Sequence, residues 1–268
     1  MIECRVLGPA ELTVDGEAPH RDLLHRKNFA LLVYLARSPG QTRAREHLME
    51  LLWPGRDEKT ARHSLREAIR VIKRHAGDEV ITAGSDRVSL AEGLIRVDTD
   101  ELERLRLAES WQEAARLVRG EFLDGFGVPG AVDFDHWLTA ERMTWAHASL
   151  QVLVGAANEL MNEGRIGEAV EMANRALASE PGADAGVQVV MASMALAGDR
   201  AGALAQFDAF AERLSALDAQ PDGQTLHLAE RVRKEREWQQ AETAAEKTGA
   251  ESRRAPLVGR GVELQRLD

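Results

Sequence analysis

The stretch TARHSLREAIRVIKRH, residues 60–75, decides how this chain is to be read. At about 100° per residue with Arg62 at the origin, Lys59, Arg66, Arg70 and Lys73 fall between roughly 20° and 80°, whereas Ala61, Leu65, Ala68, Ile69 and Ile72 occupy about 240° to 340°. One face of the predicted helix is apolar and the other cationic, with Val71 outside the apolar arc. Such a helix packs on one side and presents guanidinium groups on the other.

Working outward, HRKNFALLVYLARSPG places Phe29, Leu31, Leu32, Val33, Tyr34 and Leu35 on all sides of a helix, which predicts burial on most faces and an end at Pro39-Gly40. A second helix, RAREHLMELLW, is expected to take Thr42 as its cap and to stop at Pro54-Gly55. After Gly77, VITAGSDRVSLAEG alternates around AGSD and reads as a hairpin with Arg87 just past its tip. Upstream, residues 2–20 read as short strands broken at Gly8-Pro9 and at Asp15-Gly16, the latter a hairpin signal. Short strands, three helices and a hairpin, in that order, are the order of a winged helix-turn-helix with an N-terminal sheet, so an α+β DNA-binding domain is expected over residues 1–98.

Charge supports this division. The chain has 268 residues, 44% of them hydrophobic, which is enough for a sizeable core and two domains. Its formal charge of -10 is uneven: residues 1–100 hold 16 basic and 16 acidic side chains, and residues 101–268 hold 18 and 28. Residues 20–75 carry 13 basic against 6 acidic groups, a local +7 that makes an anion-binding surface. No run of 18 apolar residues is present, and a cytoplasmic protein with no membrane contact is expected. The single cysteine, Cys4, excludes an internal disulfide and is expected as a core residue of the first strand.

The cations at 59, 62, 66, 70 and 73 allow one helix to lie in the major groove, where arginine reaches guanine O6 and N7 together with phosphates. His63 and Ser64, near the helix start, are candidate base readers. Phosphate contacts are expected from Arg26, Lys27, Thr42, Arg43, Arg45, Arg74 and Arg87. For the helix taken alone, a solvated surface is the competing reading; the helices before it and the hairpin after it favour DNA. No H-E-x-x-H, G-x-S-x-G, C-x-x-C or P-loop motif occurs, so neither catalysis, a metal nor a cofactor is expected. The eight histidines are scattered, and the five in the N-terminal part read as polar surface residues. The tryptophans read as packing residues, with Trp53 the expected exception because it adjoins the exposed turn PGRDEK.

From Asp98 onward only helical periodicity is visible, and an all-α repeat domain is expected over residues 99–238. EGRIGEAVEMANRAL from Glu163 aligns with AGDRAGALAQFDAF at a shift of 34, the tetratricopeptide period, matching Gly164 to Gly198 and Ala169 to Ala203. These small residues are expected to let paired helices approach closely, and ESWQEAARLVRG from Glu109 reads as an earlier copy. Gly125, Gly127 and Gly130 satisfy G-x-G-x-x-G, but a dinucleotide site is rejected because a helix rather than a strand is expected before them and Pro129 interrupts the motif. Residues 239–256 read as a linker.

VLGPAELTVDG, RKNFALLVYLARSPG, REHLMELLWPG, ARHSLREAIRVIKR and LVRGEFLDGF…FDHWLTAER together resemble the SARP-type bacterial regulators, over about residues 3–240. Those regulators join an OmpR-type winged helix to a bacterial transcriptional activator domain of tetratricopeptide architecture. The resemblance implies an activator that binds repeated promoter sites as a side-by-side homodimer and contacts RNA polymerase. It implies that Arg62, His63, Arg66 and Arg70 lie on the recognition helix and Arg87 on the wing, and that the loop Trp53, Pro54, Gly55, Arg56, Asp57, Glu58 touches polymerase. With no receiver domain ahead of the winged helix, aspartate phosphorylation is not expected as the switch. LVGRGVEL, residues 257–264, is similar to the opening of the ATPase modules that follow such regulators, so residues 257–268 are expected to begin one. A repeat scaffold with an accessory anion-binding patch, or a repressor using the same DNA contacts, are the alternatives.

Overall fold

Alternation of buried and exposed residues makes a strand of Ile2–Arg5 (β1), whose Ile2 and Cys4 are buried. Burial pushes the Cys4 thiol pKa up to about 12, as befits an inert core residue. A computed structural model describes residues 1–234 of the chain; the expected linker and ATPase opening, and Trp238, lie outside the described residues. After Gly8–Pro9 (β2), Glu11–Val14 (β3) returns antiparallel to β1, so the hairpin turns at Gly8-Pro9. Asp15-Gly16 makes the expected tight turn, both residues at positive φ and Val14 and Glu17 exchanging backbone hydrogen bonds at 3.0 Å, but the pairing goes no further than that one bridge.

Arg26–Ala36 (α1) is buried continuously from Asn28 to Ala36, as its all-round apolar surface predicts. The next segment corrects the sequence reading, because Thr42 caps no helix. Residues Thr42–Ala44 form a strand (β4), the Thr42 hydroxyl lies 2.6 Å from Ser89 Oγ, and Ala44 occupies the N-cap of Arg45–Leu52 (α2). Glu58–Ala76 (α3) begins where the Asp57 carboxylate accepts from Thr60 N–H at 3.0 Å; hydrogen bonding from the Thr60 side chain, and then from this N–H, holds the carboxyl below its usual pKa. Ile81–Ala83 (β5) and Arg87–Leu90 (β6) make the expected antiparallel hairpin. β6 is central in the order β4-β6-β5, with Ala44 opposite Arg87. Ile95–Val97 (β7) then pairs parallel with β1.

By packing, the chain divides into Met1–Gly186 and the residues from Val187 onward. Residue 98, the expected end of the first domain, lies inside the first of these units, and the structure there is a joint. Asp98 starts Asp98–Leu107 (α4), and its carboxylate, with a side chain only 7% exposed, accepts from Val6 N–H at 2.9 Å and Leu7 N–H at 3.1 Å. Arg119 lies 3.8 Å from it. After Trp111–Leu117 (α5) comes a further strand, Phe122–Asp124 (β8), paired parallel with β2. That strand corrects the expectation of helix alone beyond Asp98.

A strand therefore does precede Gly125, Gly127 and Gly130, contrary to the expected helix, and Val132–Asn162 (α6) follows them, while Pro129 still interrupts the motif. The setting nevertheless differs from a dinucleotide fold, because β8 belongs to a two-stranded sheet and α6 opens with Asp133 and Asp135, which repel a phosphate at its N-terminus.

Ile166–Ser179 (α7) packs on α6 within the first unit. Asp184–Leu196 (α8), Arg200–Ser215 (α9) and a helix over residues 223–234 follow. The repeat is visible in the backbone of three positions. Glu109, Gly164 and Gly198 all have positive φ, and each is followed by a residue whose N–H reaches back to close the preceding helix: Ser110 to Leu105, Arg165 to Leu160 and Asp199 to Met194, each at 2.9 Å. Ala114, Ala169 and Ala203 stand at the same step of the next helix and are fully buried. The alanines do serve close packing, but Gly164 and Gly198 do not, since a Cβ on either would meet nothing within 4 Å. They supply the left-handed turn. The close approach is at Gly155, where a Cβ would lie 2.5 Å from the Trp111 ring.

Candidate nucleic-acid interface

The two faces of α3 separate as the sequence requires. Ala61, Leu65, Ala68, Ile69, Ile72 and Ala76 are buried, Leu65 and Ile72 completely, and pack within the unit that holds α1 and α2. Lys59, Arg62, His63, Arg66, Arg70 and Arg74 are exposed; Ser64 and Lys73 are half-buried. Two of the arginines are held by their own helix: Arg62 meets Glu58 at 2.5 Å and Arg70 meets Glu67 at 2.5 Å. Ser64 Oγ accepts from Arg56 at 3.2 Å. The Arg66 side chain makes no ion pair or hydrogen bond among the described residues, which leaves its planar donors open to solvent.

Arg45, at the first turn of α2, converges on this face. Its backbone N–H donates to Asp86 O at 2.8 Å and its guanidinium to Gly84 O at 3.1 Å, so the turn of the β5–β6 hairpin fixes it. Partial burial, then the nearby Arg66 and Arg62 charges, hold the Arg45 pKa below the ordinary arginine value. An open groove of about 680 Å³ runs between these elements, its lining including Arg45, Arg62 and Arg66 together with Glu46, Ile69 and Asp86. The three guanidiniums outnumber the carboxylates of Glu46 and Asp86 on the same groove, and with Arg62 also paired to Glu58 the excess positive charge rests on Arg45 and Arg66, where an anion is favoured. Arg87, exposed at the start of β6, flanks the hairpin turn.

Four other expected phosphate contacts, Arg26, Lys27, Thr42 and Arg43, are engaged within the protein. Arg43 stacks over Tyr34, its guanidinium carbon 5.6 Å from the ring centroid, and donates to Ser38 Oγ at 2.8 Å. Arg26 donates to Gly127 O at 2.9 Å. Lys27 sits 5.4 Å above the Trp53 ring, its pKa lowered by desolvation and then by Arg56. Thr42 is bound to Ser89 and Val88 across the sheet.

In the loop between α2 and α3, Pro54, Gly55, Arg56, Asp57 and Glu58 are exposed. Trp53 is 6% exposed and packs, so it is no exception among the tryptophans. Beside this loop lies a groove of about 610 Å³ whose lining includes Glu46, Glu50, Glu58 and Asp133, with Arg56 as its one basic group. Its sign is opposite to that of the groove at Arg45. Of the histidines expected at the surface, His47 is exposed, with its Nε2 2.6 Å from Tyr34 Oη, whereas His75 is half-buried. Among the described residues no helix is long and apolar enough to cross a membrane.

Residues 88–233 match the family model of the bacterial transcriptional activator domain. Among solved structures, EmbR of Mycobacterium tuberculosis, in complex with a low-affinity phosphopeptide, is similar in fold, with a TM-score of 0.64 and 17% sequence identity. The similarity covers 87% of this chain and 65% of that one, so this chain spans 65% of the length of the protein it matches. No curated protein matches. With the family model running over more than half of its 268 residues, the chain belongs to the bacterial transcriptional activator domain family.

Proposed function

We propose that this protein is a sequence-specific transcriptional activator whose residues 1–98 form a winged helix-turn-helix on double-stranded promoter DNA. In this reading α3 is the recognition helix, with Arg66 and Arg62 reading bases alongside His63 and Ser64, and with Lys59, Arg70 and Lys73 lying along the major groove. Arg45, Arg74 and Arg87 hold phosphates. Arg43, Arg26, Lys27 and Thr42, which are engaged within the protein, take supporting positions at most. The β5–β6 hairpin is the wing.

The observation that carries the reading is the split of α3, with Leu65 and Ile72 fully buried while Arg62, Arg66 and Arg70 are exposed in one arc beside Arg45. Family membership supports transcription as the process. The acidic groove beside residues 54–58 repels DNA and suits a basic protein surface, which supports this loop as the contact with RNA polymerase. A side-by-side homodimer on repeated half-sites completes the proposal, together with residues 99–238 as the activator half and residues 257–268 as the opening of an ATPase module. Selection of bound fragments from random duplexes tests it. Enrichment of a repeated motif that survives competition by unrelated DNA at moderate salt is expected. Retention with no preferred sequence would favour a scaffold with an anion-binding patch.

A further inference from the structure

One cluster of side chains has no part in DNA binding as proposed. His75, in the last turn of α3, stacks on His20 with ring centroids 3.9 Å apart and planes 3° from parallel. Asp22 Oδ2 lies 3.6 Å from His20 Nδ1 and 3.8 Å from His75 Nε2, and one ligand atom from each of the three residues falls within 4.8 Å of the others. We infer that His20, Asp22 and His75 form a binding site for a single divalent transition-metal ion of the zinc class.

Bond lengths of about 2.0 to 2.2 Å around a tetrahedral ion separate its ligand atoms by roughly 3.4 Å, so the two carboxylate distances are within a few tenths of the bound arrangement. His20 Nδ1 accepts from Asp22 N–H at 3.3 Å, so that imidazole must turn away from this hydrogen bond for the two rings to converge on an ion. His20, with 48% of its side chain exposed, has the room; His75, at 18%, is the fixed partner.

The segment carrying the other two ligands is already ordered. Leu23 N–H donates to His20 O at 3.0 Å, Leu24 N–H to Arg21 O at 3.1 Å and His25 N–H to Asp22 O at 3.3 Å. Asn28 Nδ2 donates to Asp22 O at 2.8 Å, and Leu23 anchors the turn in the core. Little ordering therefore remains to be done on binding.

Two imidazoles and one carboxylate favour zinc, cobalt or nickel over magnesium or calcium, and water completes the coordination on the exposed side. The carbonyl end of α3 favours a cation here. Lys73 and Arg74 in the same turn, and Arg21 3.9 Å from Asp22 Oδ1, oppose it. A bound ion would tie residues 20–25 to the end of α3 and brace that helix. The inference stands apart from whether α3 binds DNA.

Titration calorimetry of zinc chloride into the chelator-treated full chain, compared with His20→Ala, Asp22→Asn and His75→Gln, tests it. The wild type is expected to bind one ion per chain, and each variant to lose about tenfold or more in affinity. Cobalt should give the visible d–d absorption of a four- or five-coordinate ion in the wild type and not in His20→Ala. That exposed variant keeps its fold, which circular dichroism checks, so it decides the matter even if His75→Gln misfolds. Absence of binding in molar excess of zinc, or undiminished binding by folded His20→Ala, would overturn the assignment.

Discussion

Arg45 offers a sharp separation between charge and sequence reading, because it belongs to the cationic groove without lying on α3. Replacing it by alanine removes one hydrogen bond to an exposed backbone carbonyl, at Gly84, and one member of a cluster in which Arg62 and Arg66 already repel it. The stability cost is accordingly small, within about 0.5 kcal/mol, as for other surface substitutions. The cost to DNA binding is larger and has a signature. One phosphate contact fewer reduces the slope of log K against log salt by about 0.9, so between about 50 and 200 mM salt the wild-type advantage should shrink by roughly 3.5-fold. Fluorescence anisotropy on the selected duplex and on an unrelated one, at both salt concentrations, measures this. The ratio of the two affinities, the specificity, should stay constant. A salt slope equal to that of the wild type, or a changed base preference, would refute the placement of Arg45 against phosphate.

Two further outcomes concern the frame that holds the site. Gly155→Ala drives a methyl to within 2.5 Å of the Trp111 ring and should destabilise the protein by about 1 to 3 kcal/mol in urea unfolding; an unchanged midpoint would show that α5 and α6 can move apart freely. Asp98→Asn tests the joint at the start of α4. Burial raises the Asp98 pKa, against the opposing hydrogen bonds from Val6 and Leu7 and the charge of Arg119, so the folded state holds this proton more tightly than the unfolded state. Its contribution to stability therefore falls as pH rises from about 4 through the raised value, and the variant, which cannot ionise there, should gain on the wild type over that window. A stability difference that is flat in pH would contradict this.

The helices were legible in the sequence because their signals are long. The apolar arc of α3 spans five turns, and the uniform hydrophobicity of residues 29–35 admits little but a buried helix. Strands of two or three residues show only where a turn signal joins them to their partner, as for β5 and β6; β2, β4 and β8 were hidden because each pairs with a strand far along the chain. The same holds for the basic residues. Composition placed Arg26, Lys27 and Arg43 with the DNA set, but Gly127, Trp53 and Tyr34 are tertiary neighbours that no local pattern announces. The left-handed position at Glu109 was masked because glycine marks only the two later copies of the repeat. His20 and His75 read as scattered surface residues until the turn before α1 met the end of α3.

The most direct measurement is the base preference of Arg66→Ala beside that of Arg74→Ala, each determined by selection from random duplexes and by affinity for the wild-type site. Both residues are exposed on α3, and neither guanidinium is engaged by another described side chain. Arg66→Ala should lose about 1 to 3 kcal/mol on the preferred site and become indifferent to one base pair, whereas Arg74→Ala should weaken every sequence alike. Equal losses on all sequences from both variants would contradict the assignment of α3 as the element that reads DNA.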